Sequence, residues 1–100
     1  MYRIVYTKQA AKDIKNLKVA GLSIKAKELI EVIRNDPFKN PPPYEGLVGN
    51  LDGFYSRRIN IKHRLVYQVY GDQLESGDME IEGTIKIVRM WTHYEGIRSY

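Results

Sequence analysis

Four prolines within seven residues, Pro37 and Pro41 to Pro43, divide the chain in two. Proline cannot donate to a hydrogen-bond ladder and drives the residue before it out of helix, so helical patterning must end at Asp36. The run Asn40-Pro41-Pro42-Pro43 reads as a stiff connector biased toward polyproline II. A chain of 100 residues leaves too little sequence after it for an independent unit. The run therefore predicts a rigid surface loop inside one domain spanning residues 1–100.

Before the prolines, Tyr2 to Tyr6 is rich in β-branched and aromatic residues and predicts a strand. Thr7 is placed to cap a helix carrying Ala10, Ala11, Ile14 and Leu17 at helical spacing, which Gly21 ends. Ser23 is placed to cap a second helix with Ala26, Leu29, Ile30 and Ile33 on its apolar stripe. After the prolines, Tyr44 to Leu51 is a loop of mixed character. Phe54 to Ile61 alternates, with Tyr55, Arg57 and Ile59 on one face and Phe54, Ser56 and Arg58 on the other. A turn at Lys62-His63 leads to a strand over Arg64 to Tyr70, an acidic loop over Gly71 to Gly83, and a strand over Thr84 to Trp91. The order β-α-α-β-β-β predicts an α+β fold. Its small twisted sheet is dominated by antiparallel pairs, and both helices pack on one face. The opposite face, with the loop at Tyr44 to Leu51, is the expected place for a site.

Composition narrows the chemistry. Cysteine is absent, which removes disulfides and thiolate chemistry and fits a reducing compartment. There is no glycine-rich phosphate loop, no nucleophile elbow, no run of apolar residues long enough to span a membrane, and no secretion-signal layout at Met1 to Tyr6. His63 and His93 stand thirty residues apart without a metal-ligand pattern, so neither a metal nor another cofactor is expected. The net charge is +4 and the pI about 9.3. Asp72, Glu75, Asp78, Glu80 and Glu82 lie in one stretch; outside it, sixteen basic residues face seven acidic ones. Such a balance favours phosphate-bearing or acidic partners, although it also serves solubility. Arg57, Arg58, Lys62 and Arg64 concentrate it within eight residues.

What remains is a base, a set of cations and an acid: Glu45, then Arg57, Arg58 and Arg64, then His93 and Tyr94 beside Trp91. RNA cleavage needs a base for the ribose 2′-OH, a cation for the charge growing on phosphate, and an acid for the leaving oxygen. Aromatic rings can stack on splayed bases. Each residue also has a structural reading. Glu45 would be a solvated loop carboxylate, Arg64 one half of a cross-sheet ion pair, His93 a capping residue, and Trp91 and Tyr94 core.

The run Glu45-Gly46-Leu47-Val48-Gly49-Asn50-Leu51-Asp52-Gly53-Phe54-Tyr55-Ser56-Arg57-Arg58-Ile59, then His63-Arg64-Leu65-Val66-Tyr67, then Trp91-Thr92-His93-Tyr94, resembles the YoeB/Txe toxins of the RelE-like superfamily. The resemblance covers nearly the whole chain. It implies a bacterial, cytoplasmic endoribonuclease that cuts mRNA in the A site of the 70S ribosome without a metal. It further implies neutralisation by an antitoxin of the YefM/Phd type, whose complex with the toxin binds operator DNA. Carried over by position, it places the general base on Glu45, the phosphate-stabilising arginine on Arg64 and the general acid on His93. Substrate contacts fall on Tyr94, Arg58 and Arg57. Gly46 and Val48 stand where many relatives have Pro and Lys, and Tyr55 where Trp is common. The acidic stretch at 72–82 is longer than in compact relatives, and Glu95 to Tyr100 reads as a flexible tail. The competing readings are a non-enzymatic, ParE-like binder of gyrase and a degenerate module that binds only its antitoxin.

Overall fold

The computed structural model describes residues 1–71 and 81–92. Five strands form one mixed sheet, β1 (Tyr2–Tyr6), β2 (Glu45–Gly46), β3 (Phe54–Arg58), β4 (Arg64–Tyr70) and β5 (Gly83–Thr92), in spatial order β1-β5-β4-β3-β2. Only β1 and β5 run parallel, with Tyr2 opposite Gly83 and Tyr6 opposite Ile87; the other pairs are antiparallel. Two helices, α1 (Lys8–Val19) and α2 (Ser23–Asn35), connect β1 to the proline loop. This is the α+β architecture the sequence predicts, with one added element. Glu45–Gly46 is a strand, too short to show any periodicity, placed at the sheet edge by its pairing with Ser56 and Tyr55.

Local chemistry sets the helix ends. The Thr7 hydroxyl accepts the Ala10 N–H at 3.0 Å, the N-cap expected of it. Gly21 has φ +75°, a conformation that costs a side chain dearly. Its N–H reaches the Lys18 carbonyl, and the Leu22 N–H reaches the Leu17 carbonyl at 2.8 Å. These paired bonds close the last turn of α1 and carry the chain directly into α2. Leu22 thus occupies the N-cap position of α2. Ser23, expected to cap it, is instead the first helical residue, and no side chain caps that end.

The helices pack on one face of the sheet. Leu17, Ala26, Leu29, Ile30 and Ile33 meet Leu65, Tyr67, Ile85, Ile87 and Met90 in the main core. Each Leu or Ile buried there contributes about 1.5–3 kcal/mol. The buried line of α1 runs through Ala10, Asp13 and Leu17, whereas Ala11 and Ile14, expected on the apolar stripe, face outward. Asp13 is the cause. Its carboxylate, 0% exposed, accepts the Arg89 Nε–H and the Met90 N–H, both at 2.9 Å.

Those bonds answer an irregularity in β5. Val66 pairs with Arg89 and Arg64 with Thr92, so Leu65 alone faces Met90 and Trp91; a second bulge leaves Val88 between the Tyr67–Ile87 and Val66–Arg89 pairs. Bulges free backbone groups from the ladder. Asp13 takes the Met90 N–H and the Thr7 hydroxyl donates to the Val88 carbonyl at 2.8 Å. Val88 alternates with Ile87 onto the other face, where it joins Val66, Leu47, Leu51 and Phe54 in a small separate core under the Leu47–Leu51 segment.

Two further expectations change in detail. The strand begun at Phe54 ends at Arg58, short of Ile61, and the turn is built on Asn60, whose side-chain oxygen accepts the N–H groups of Lys62 and His63. The proline connector bends at Asn40 to Pro42 and is not an extended polyproline II rod. Most of the acidic stretch, Asp72 to Glu80, and the tail from Glu95 lie outside the described residues.

Candidate active site

Strand register gathers the site. Glu45 on β2 pairs with Ser56 on β3, and Arg58 on β3 pairs with Arg64 on β4. Ser56 and Arg58 alternate with Tyr55 and Arg57, so they share the face turned away from the helices, as the strand alternation predicts. A cavity of about 360 Å³ opens there, lined by Pro43, Tyr44, Glu45, Ser56, Arg58 and Arg64. A second hollow of about 380 Å³, lined by Glu45 to Leu51, adjoins it and shares Glu45.

Inside the cavity, Arg64 Nη1 lies 2.9 Å from Glu45 Oε1. The arginine is the buried partner, at 16% exposure, while the glutamate side chain is 48% exposed. Arg64 also donates to the Ser56 hydroxyl at 3.2 Å. The ion pair that the residues alone allowed is therefore real, and it joins the two residues that the resemblance marks as base and phosphate-stabilising cation. Ser56, to which no role was given, is a third polar member. Its signal lay in the β3 alternation, which sets it on the same face as Arg58. Arg58 lines the cavity from the exposed end of β3.

Arg57 is not part of this cavity. It is 1% exposed and lies on the helix side of β3. Its guanidinium donates to the carbonyls of Pro37, Lys39 and Pro42 and to the Tyr67 hydroxyl, and sits 5.1 Å from the centre of the Tyr44 ring. The substrate contact expected of Arg57 has no geometry to support it, because a guanidinium spent on buried carbonyls does not reach an entering phosphate. The Tyr67 hydroxyl in turn donates to Pro37 at 2.7 Å, and burial raises its pKa above the ordinary tyrosine value despite the opposing charge of Arg57.

At the end of β5, Trp91 stacks on His63 with ring centres 3.8 Å apart and planes 12° from parallel. His93 and Tyr94, expected as acid and substrate contact, lie outside the described residues; Thr92, which precedes them, pairs with Arg64. Among the described residues no three His, Asp or Glu side chains are grouped to hold a metal ion. No helix among them is long and apolar enough to cross a membrane.

The family described as the YoeB-like toxin of bacterial type II toxin–antitoxin systems matches residues 6–94. The chain belongs to that family. Toxin YoeB of Escherichia coli K12 is 50% identical over 50 residues, half of this chain and 60% of that toxin. The matched stretch thus spans about three-fifths of its curated relative. Over longer spans the likeness is structural. A YoeB/ParE toxin from Agrobacterium tumefaciens superposes with a TM-score of 0.76 at 26% identity, covering 92% of this chain and 99% of that one. A chain of the Staphylococcus aureus YoeB–YefM complex gives a TM-score of 0.70 at 35% identity, covering 94% and 99%. Gly46 and Val48 fall on the rim of the site, while Tyr55 packs against the core on the other face of β3. Gly46 lies on β2 against the Tyr55 ring, and Val48 is an exposed apolar residue on the adjoining loop.

Proposed function

We propose that the chain is a ribosome-dependent mRNA endoribonuclease whose cleaving centre is the cavity between β2 and β4. The observation that carries the reading is the Glu45–Arg64 pair, held at 2.9 Å on separate strands of one sheet face and backed by Arg58. A carboxylate and a guanidinium so placed can share one phosphodiester. Glu45 takes the proton of the ribose 2′-OH as that oxygen attacks phosphorus. Arg64 turns from the carboxylate to the phosphate and stabilises the charge that accumulates there. His93 delivers a proton to the 5′ oxygen as the P–O5′ bond breaks. The products are a 2′,3′-cyclic phosphate, opened by water to a 3′-phosphate, and a 5′-hydroxyl. Arg58 and Tyr94 hold the substrate. Every step is proton transfer or charge stabilisation, so the scheme calls for no metal.

The partners follow from the same reading. The ribosomal A site presents the mRNA, and the basic surface outside the acidic stretch suits both RNAs. The YefM seen with the Staphylococcus aureus toxin supports a YefM/Phd-type antitoxin here; operator DNA bound through that complex is part of the same proposal. A cytoplasmic location accords with both partners. The test is primer extension on a defined mRNA in a purified translation system, with and without ribosomes. Cuts at the A-site codon only when ribosomes are present, leaving 5′-hydroxyl ends, are the expected result. No cuts by folded protein, or inhibition of gyrase instead, would overturn the reading.

A further inference from the structure

A buried arginine without a carboxylate partner calls for explanation. Removing a guanidinium from water is costly unless its donors are satisfied. Arg57, 1% exposed, meets that requirement with backbone carbonyls alone, apart from the Tyr67 hydroxyl. Nη2 donates to Pro37 at 3.1 Å and Lys39 at 2.8 Å, Nη1 to Pro42, and Nε to Tyr67 at 3.1 Å. The three carbonyls span the bent proline segment. Prolines carry no N–H, so this segment cannot be held by a ladder of its own. Pro42 stands three residues before Glu45, and Tyr44, whose ring lies over the guanidinium, is next to it. Glu45 itself belongs to a strand of two residues, which has little pairing of its own to fix it.

The other side of the same strand completes the picture. Ser56 and Arg58, the neighbours of Arg57 on β3, both line the cavity that contains Glu45 and Arg64. One strand therefore presents the site's polar wall on one face and grips the segment that delivers the carboxylate on the other. We propose that Arg57 is a positioning residue. Its clamp on the Pro37, Lys39 and Pro42 carbonyls sets where Glu45 stands relative to Arg64. Arg57 acts through Glu45 and touches no substrate. The proposal rests on the reading of Glu45 as the base, and the experiment separates the two.

The test uses the full chain in the ribosome cleavage assay, with wild type, Arg57→Lys, Glu45→Gln and the Glu45→Gln/Arg57→Lys double variant. Each is confirmed folded by circular dichroism at the assay temperature. Misplacing a reacting group by about 1 Å costs up to roughly a hundredfold in rate. Arg57→Lys, which keeps the charge but not the fork of donors, is therefore expected to lower the saturating rate about ten- to a hundredfold. The half-saturating concentration should stay within about twofold, as the same positioning argument requires. In the Glu45→Gln background the same change should cost nothing further. Hydrogen exchange should quicken at residues 38–39 and 44–47 while α1, α2 and β4 keep their protection. A folded Arg57→Lys with wild-type rate overturns the proposal. So does an equal loss in both backgrounds, or a loss confined to half-saturation, which would make Arg57 a substrate contact. Should Arg57→Lys fail to fold, Tyr67→Phe removes one anchor and leaves the three carbonyl bonds. It should then give a smaller loss of the same kind, and a wild-type rate refutes the clamp. If wild type cuts no RNA, the endonuclease reading fails, and hydrogen exchange alone decides whether Arg57 holds the segment.

Discussion

Replacing Asp13 by alanine is expected to cost about 3–5 kcal/mol of folding stability, the range for breaking a buried, hydrogen-bonded ion pair. The magnitude can be built from the contacts. The carboxylate is fully buried and accepts the Arg89 Nε–H and the Met90 N–H at 2.9 Å, with Gln9 at 3.2 Å on its other oxygen. The bond to the guanidinium is charge-assisted and contributes about 1.5–3 kcal/mol, and a buried N–H that loses its acceptor costs about 1–3 kcal/mol more. The Met90 N–H has no ladder partner to fall back on, because it sits in the bulge where Leu65 faces two residues of β5. For a domain of this size each kcal/mol moves the melting point by about 4–8 °C, so a fall of roughly 12–40 °C is expected. Urea unfolding followed by Trp91 fluorescence should show a lower midpoint with an unchanged slope. Asp13→Asn keeps an acceptor for Met90 and should lose about half as much by the same accounting. An Asp13→Ala protein within about 1 kcal/mol of wild type would refute this account of how α1 is fastened to the bulged strand.

Three further outcomes are expected. Burial raises the Tyr67 pKa above 10.0, so the folded state holds that proton more tightly than the unfolded chain does. The associated stability is complete below the unfolded value and is lost as pH rises through the folded one. Tyr67→Phe should therefore flatten the alkaline fall of the urea midpoint, and an unaltered slope would remove Tyr67 from the explanation. Gly83→Ala would bring a Cβ within 2.2 Å of the Tyr70 carbonyl oxygen and 3.1 Å of Gly71 Cα, both backbone, so β4 and β5 must part. A loss of about 1–3 kcal/mol is expected there. Gly46→Ala, which meets only the Tyr55 ring at 3.7 Å, should leave the urea midpoint nearly unchanged. Equal effects at the two glycines would contradict the geometry. RNA or ribosome binding should weaken steeply with salt, and Arg58→Gln should reduce the log–log slope by roughly 0.7–0.9, one phosphate contact. A slope unchanged in that variant would place Arg58 outside the RNA path.

Much of this fold was legible because its signals are local. Thr7, Gly21 and Pro37 act on the residues beside them, and each ends or begins a helix where its chemistry requires. The β3 alternation was equally readable, and it carried more than was drawn from it. It set Arg57 on the face of Tyr55 and Ile59, the core face, yet an arginine in a basic cluster reads first as a contact for a partner. Its burial depends on carbonyls fifteen to twenty residues away, which no local pattern reveals. Asp13 is the same case on a helix. It stands between Ala10 and Leu17 on the inward line, but its acceptor role exists only because β5 bulges more than seventy residues later. Ser23 failed as a cap because the Leu17–Leu22 bond already fixes how the chain enters α2. Two-residue β2 has no period to detect; only its pairing with β3 makes it a strand, and that pairing brings Glu45 to Arg64.

The central claim is that Glu45 and Arg64 form the cleaving centre. Its most direct test is the single-turnover rate of mRNA cleavage on ribosomes by Glu45→Gln and Arg64→Ala, each matched to wild type in fold and in ribosome binding. Losing a general base or a charge-stabilising donor costs about a hundred- to ten-thousandfold. Both variants should therefore fall by at least about a hundredfold while still binding the ribosome. Cleavage by either folded variant within about threefold of wild type, far inside the loss expected for such groups, would contradict the account.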